Sequence, residues 1–229
     1  GLALGAEERS AGRMSKRIVI IDYGSGNLRS AAKSCERVVA EEGLDCEVLV
    51  SADPADLSRA SHILLPGVGA YGDCRAGLDA VDGMVEALRE QVEKEAKPFL
   101  GVCVGMQLMS TRGLEYGSHE GLGWIDADCI HIAPEDPSLK VPHMGWNDLK
   151  ILTPGHPVFE GISDGDHAYF VHSYHLSCRK PAEVAATVDY GHPLTAIVAR
   201  DNMVGVQFHP EKSQQTGLRL IGNFLRWTA

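Results

Sequence analysis

From residue 17 onward the chain alternates short β-branched runs with amphipathic stretches, the pattern of strands and helices layered into an α/β domain. Arg17 to Ile21 reads as a buried strand. After the turn Tyr23-Gly24-Ser25-Gly26-Asn27, the residues Leu28, Ala31, Ala32, Cys35, Val38 and Val39 recur at helical spacing. Cys46 to Val50 and His62 to Leu65 read as two more strands, the latter stopped by Pro66-Gly67-Val68-Gly69. The spacing of Leu78, Val81, Val85, Leu88 and Val92 predicts one helix. Pro98 to Val102 reads as a further strand, running into Cys103 and a short helix through Leu108. In the second half, Trp124 to Ile132, His167 to Leu176, Ala185 to Val188, Leu194 to Val198 and Met203 to Phe208 are separated by Gly, Pro and Asp turns, which predicts partly antiparallel strands. Ser213 is expected to cap a last helix with Leu218, Ile221 and Leu225 on one face. No repeat or low-complexity linker interrupts this, so residues 14–229 read as a single domain. Residues 1–13 read as an extension, either an expression remnant or an alternative start.

Composition narrows the function. With 21 Lys+Arg against 31 Asp+Glu the net charge is −10, which repels phosphate backbones and anionic lipids, so neither nucleic acid nor membrane is an expected partner. Apolar runs of about four residues fall far short of the roughly 20 that a bilayer-spanning helix needs. The six cysteines form no CxxC pair, which fits a reduced, cytoplasmic setting.

The sharpest chemical signal is Gly101-Val102-Cys103-Val104-Gly105 between a strand and a helix. A strained turn there lifts a nucleophile out of a sheet, and the glycines let neighbouring backbone pass close. A helix starting after Cys103 is expected to favour thiolate over thiol; a buried structural cysteine is the plainer alternative. Phe208-His209-Pro210-Glu211 offers a base and an orienting carboxylate, since residues two apart on an extended segment share a side. Sequence alone does not bring positions 103 and 209 together. An oxyanion would be held by the Val104 N–H and by a second donor from the Gly67–Val68 peptide, whose flexible loop allows the N–H to turn inward or outward. His167, His172 and His175 raise a metal reading, but their spacing is irregular and no carboxylate–His helix motif accompanies them, so neither metal nor cofactor is expected.

The stretches Gly101-Val102-Cys103-Val104-Gly105-Met106-Gln107 and Phe208-His209-Pro210-Glu211-Lys212-Ser213 together resemble the class I (triad) glutamine amidotransferases. The resemblance spans about residues 16–229 and implies a flavodoxin-like α/β fold: a mixed, mostly parallel sheet flanked by helices, with extra antiparallel strands in the second half. It further implies Cys103 as nucleophile, His209 as acid and base, and Glu211 as orienter. Gly67, Gly69, Gln107, Glu115, Ser173 and Tyr174 match glutamine-holding positions, and Glu115 suits the ammonium of a free amino acid.

Three further stretches resemble one branch of that family, whose glutaminase feeds a cyclase partner, a (β/α)8 barrel. They are Asp22 to Ser30, Val141-Pro142-His143-Met144-Gly145-Trp146-Asn147 and Tyr169 to Tyr174. The resemblance places Asn27, Pro142, Met144, Trp146 and Lys212 at the partner interface. Two alternatives stay open. An amidotransferase serving pyridoxal phosphate or anthranilate synthesis would keep residues 101–105 and 209–211 without these stretches. A non-catalytic subunit would keep the fold and bind glutamine without hydrolysing it. The oxyanion peptide is expected to rest unproductively, because a lone subunit that hydrolysed glutamine would waste it.

Overall fold

The computed structural model describes residues 15–228, so the expected extension over residues 1–13 lies outside them. In chain order the first half contains β1 (Lys16–Ile21), α1 (Leu28–Glu42), β2 (Cys46–Ser51), β3 (His62–Leu65), α2 (Tyr71–Ala80), α3 (Met84–Leu88), β4 (Phe99–Val102) and α4 (Val104–Gln107). The second half contains β5 (Ser110–Gly113), β6 (His119–Glu120), β7 (Ile125–His131), β8 (His143–Asp148), β9 (Lys150–Ile151), β10 (His167–His172), β11 (Tyr174–Cys178), β12 (Val184–Asp189), β13 (Pro193–Arg200), β14 (Met203–Val206) and α5 (Gln214–Arg226).

An eight-stranded sheet is ordered β2-β1-β3-β4-β14-β13-β12-β9. Its first five strands are parallel and the last three antiparallel, the mixed sheet expected. Strand alternation feeds two cores. Ile18 and Ile20 of β1 face α1 and α5, where Cys35, Val38, Ile221, Phe224 and Leu225 pack. Val19 and Ile21 face Leu78, Met84, Leu88 and Val92. Burying both faces explains why the parallel strands are continuous apolar runs in the sequence. β11-β7-β5-β6 and β10-β8 form two smaller sheets beside the large one.

Three local expectations need correction. The helix predicted through Leu78 and Val92 is two helices, because Val81 leaves helical geometry and Gly83 adopts φ +79, redirecting the chain before α3 and its continuing π turn, Arg89–Lys94. The run His167 to Leu176 breaks at Ser173 into β10 and β11, which pair with different partners, β8 and β7. Ser213 stands at the N-cap of α5 without capping it. Its hydroxyl instead donates to the His209 carbonyl at 2.7 Å and accepts from the Tyr169 N–H at 3.0 Å.

Candidate active site

Cys103 sits at the elbow between β4 and α4 with φ +56 and ψ −117, a backbone conformation unusual for a residue with a side chain. The flanking glycines are required by close approach: a Cβ at Gly105 would stand 1.9 Å from the Leu65 carbonyl oxygen, and one at Gly101 2.7 Å from that of Gly105. The sheet supplies what the sequence left open. β14 runs parallel beside β4 with Val206 opposite Val102, so the chain leaving β14 carries His209 to the cysteine at the neighbouring strand end. Backbone pairing of His209 N–H with the Tyr169 carbonyl, together with the Ser213 hydroxyl, fixes that segment.

The result is a contiguous Cys103–His209–Glu211 group. Sγ lies 3.3 Å from His209 Nδ1, and the same nitrogen lies 3.0 Å from Glu211 Oε1. Glu211 reaches the ring through the 3-10 turn Pro210–Lys212 rather than by strand alternation. Burial holds the Cys103 thiol well above its ordinary range, the Glu211 carboxylate adds to this, and Lys212 opposes it. Burial thus works against the expected thiolate in this structure. A helix of one turn offers little dipole, and desolvation outweighs it.

Opposite the sulfur, the loop after β3 points the wrong way for oxyanion binding. The Val104 N–H donates to the Gly67 carbonyl at 3.2 Å, and the Val68 N–H is turned to Ser25 Oγ at 3.1 Å. Ser25 Oγ and Cys74 Sγ lie 2.9 and 3.1 Å from the Val68 carbonyl oxygen. Both expected donors are thus occupied by protein partners, an arrangement consistent with the resting orientation expected from sequence. Ser25 and Cys74 went unnoticed there, since a small polar residue in a glycine-rich turn carries no signal until its partner is known.

A cleft over Cys103 is lined by Gly67, Gly69, Gln107, Glu115, Ser173 and Tyr174, so the structure gathers every expected glutamine-holding position. Glu115 Oε2 accepts from the Tyr71 N–H at 3.3 Å, and Gln107 Nε2 donates to the Tyr174 carbonyl at 3.2 Å and to Gln207 Oε1 at 3.1 Å. Gln207, Tyr116 and His172 line the same cleft and were not singled out for it. Gln207 precedes the FHPE stretch at a position where an amide reads as ordinary strand polarity. The three histidines of the metal reading are separately engaged: His167 with Asp148, His172 with His143, and His175 against the His192 ring. Among the described residues no group of three or more His, Cys, Asp or Glu could hold a metal ion.

The expected interface residues divide between two places. β8 and β10 form an antiparallel ribbon in which Met144 opposes Val171 and Trp146 opposes Tyr169, and Met144 and Trp146 are 62% and 49% exposed. Lys212 Nζ lies 5.9 Å from the Tyr169 ring centroid, which adjoins the same ribbon; Pro142 directly precedes β8. Asn27 lies at the N-cap of α1, its side chain accepting from the Ser30 N–H, and lines a small, largely apolar cavity behind Cys103 and Glu211. Exposed large apolar residues grouped on one ribbon mark a surface suited to contact. Among the described residues no helix is long and apolar enough to cross a membrane.

Comparison with known proteins identifies the family. The family model described as glutamine amidotransferase class-I matches residues 19–227. The imidazole glycerol phosphate synthase subunit HisH of Agrobacterium fabrum is 58% identical over 214 residues, covering 92% of this chain and 99% of that protein. The subunit of the same name from Rhodospirillum rubrum is 56% identical over 211 residues with the same coverage. Among solved structures, a GMP synthase subunit from Thermoplasma acidophilum superposes with TM-score 0.64 at 18% identity, covering 93% of this chain and 94% of that one. A glutamine amidotransferase gives 0.65 at 19% identity, covering 87% and 94%; at such identities these two speak for the fold alone. The chain belongs to the class I glutamine amidotransferases and, within them, to the HisH subunits of imidazole glycerol phosphate synthase.

Proposed function

We propose that this chain hydrolyses glutamine to glutamate and ammonia through Cys103, His209 and Glu211, and delivers the ammonia to a cyclase partner in histidine biosynthesis. The observation that carries this reading is the single imidazole nitrogen within reach of both the buried sulfur and the carboxylate. With its proton on Nε2, the ring accepts the thiol proton at Nδ1. The new Nδ1–H then faces Glu211, which stabilises the imidazolium.

Sγ attacks the side-chain amide carbon of glutamine, and the carbonyl electrons move onto oxygen. That oxyanion takes the Val104 N–H and the Val68 N–H once the Gly67–Val68 peptide has turned, releasing Ser25. His209 gives its proton to the departing nitrogen, the C–N bond breaks, and ammonia leaves a glutamyl thioester. Water, deprotonated by His209, attacks the thioester, and glutamate departs as the sulfur recovers its proton. Gln107, Ser173 and Tyr174 hold the amino acid, with Glu115 facing its ammonium.

The cyclase, a (β/α)8 barrel, is placed against the Met144–Trp146 ribbon, Pro142, Asn27 and Lys212. There the ammonia cleaves and cyclises a ribulosyl phosphate intermediate, giving imidazole glycerol phosphate and an aminoimidazole carboxamide ribotide. Six free cysteines fit a reducing cytoplasm. The test is glutamate release by the chain alone, with the cyclase, and with cyclase plus ribulosyl ligand. Strong stimulation only in the last case, lost in Cys103→Ser, is expected; full activity of the chain alone, or with another synthase only, would overturn the pathway.

A further inference from the structure

Beneath the exposed ribbon lies a polar chain of two buried histidines and the half-buried Asn147, to which the proposed hydrolysis assigns no step. His172 Nδ1 is 2.8 Å from the Tyr174 carbonyl oxygen, its Nε2 is 2.8 Å from His143 Nδ1, and His143 Nε2 is 3.1 Å from Asn147 Nδ2. Asn147 Nδ2 also donates to the Asp189 carbonyl at 2.9 Å, while Asn147 Oδ1 accepts from the Asp148 N–H at 2.8 Å. Every proton in this chain can be assigned, because its two ends are fixed by backbone. A carbonyl only accepts, so His172 carries its proton on Nδ1 and its Nε2 accepts. His143 must then donate from Nδ1, leaving Nε2 to accept. The Asn147 oxygen is committed to an N–H, so the amide nitrogen faces His143 as a donor.

Both rings are buried, and burial pushes them down, His143 to about 4 and His172 to about 3. At neutral pH both are uncharged, as the chain of donors demands. His143 is further clamped between Phe170 and Tyr190, with ring centroids 4.9 and 4.4 Å away. The far end of the chain is the Tyr174 carbonyl, which also accepts from Gln107 Nε2. Asn147 lies on β8, the strand bearing Met144 and Trp146, and Tyr174 follows the Ser173 break where β10 passes to β11.

We propose that Asn147, His143 and His172 are positioning residues: a one-directional hydrogen-bond relay that holds the Ser173–Tyr174 elbow and Gln107 for glutamine and ties that elbow to the contact ribbon. The catalytic part of this inference rests on the glutaminase reading; the proton assignment does not. A fully satisfied buried polar chain specifies one geometry, and breaking it leaves a buried group unpaired.

The test uses His143, which does not line the cleft. His143→Asn keeps a donor where Nδ1 stood, His143→Gln places its amide beyond that point, and His143→Leu removes both nitrogens. With the cyclase and its ligand present, His143→Leu and His143→Gln are expected to raise the KM for glutamine about tenfold with kcat changed less than about threefold, while His143→Asn, which keeps the donor to His172 but loses the acceptor for Asn147, is impaired about threefold. An unchanged KM in His143→Leu, or equal impairment in His143→Asn, would overturn the positioning role. In parallel, 15N NMR of the histidine-labelled full chain at pH 7 is expected to show both rings as neutral Nδ1–H tautomers. Finding either as Nε2–H would overturn the relay, and this readout stands even if the parent protein releases no glutamate.

Discussion

The two walls facing the Cys103 sulfur differ in how they are held. On one side stands His209, tied by backbone pairing to β10 and by the Ser213 hydroxyl, and carried by the chain leaving the strand next to the nucleophile's own. On the other stands the loop Pro66–Gly69, held by the Ser25 hydroxyl and the Cys74 thiol in an orientation that fills both oxyanion donors with protein partners. The wall to which the proposed mechanism assigns proton transfer is assembled, whereas the wall to which it assigns charge stabilisation has its N–H groups engaged by protein partners. On the proposed mechanism, the permanent half of the site lies at strand ends and the half that must turn lies in a single peptide unit.

The largest expected effect lies on the fixed wall. Cys103→Ser should lower glutamine hydrolysis about a thousandfold or more, since a hydroxyl at this site is a far weaker nucleophile and its proton far less acidic; single-turnover glutamate release measures this. On the adjustable wall the sign reverses. Ser25→Ala removes the acceptor that holds the Val68 N–H outward, so basal hydrolysis without the partner should rise about fivefold, the equivalent of one neutral hydrogen bond of about 1 kcal/mol. A fall in basal rate would show that Ser25 supports the active loop rather than the resting one.

Between these walls, the sequence revealed what is local and hid what is assembled. Cys103 and the His209–Glu211 pair were legible because short fixed spacings carry their chemistry, and the parallel strands because both their faces are buried. The β8–β10 ribbon was not, since the apolar run through residues 167–176 continues across Ser173 although the two halves join different sheets. The break at Gly83 was masked in the same way, because Leu78, Met84, Leu88 and Val92 share one core on both sides of it. His172, considered as a metal candidate and set aside, is a hydrogen-bonded ring against the cleft, a role that depends on His143, 29 positions away.

A third measurement probes the buried rings as a group. His62, His143 and His175 are pushed down to about 4 and His172 to about 3, all chiefly by burial. The unfolded chain therefore binds more protons than the folded one below about pH 6.5, and stability falls as pH drops through that window toward 4. Thermal unfolding is expected to shift down by about 10 °C between pH 7 and pH 5. A flat profile would mean that these rings exchange protons freely in the native state. The smallest effect is expected at the contact ribbon: Trp146→Ala should leave hydrolysis intact while glutamate formed exceeds cyclised product. A preserved one-to-one ratio would remove Trp146 from any part in confining ammonia.

The burial that opposes ionisation of the Cys103 thiol has a consequence for how the protein ages. Peroxides and electrophiles attack thiolates far faster than thiols, so a sulfur whose ionisation is opposed by burial spends its idle time in its less oxidisable form. Burial thus acts as a preservative, and chemical wear on the nucleophile should follow the number of turnovers rather than the calendar.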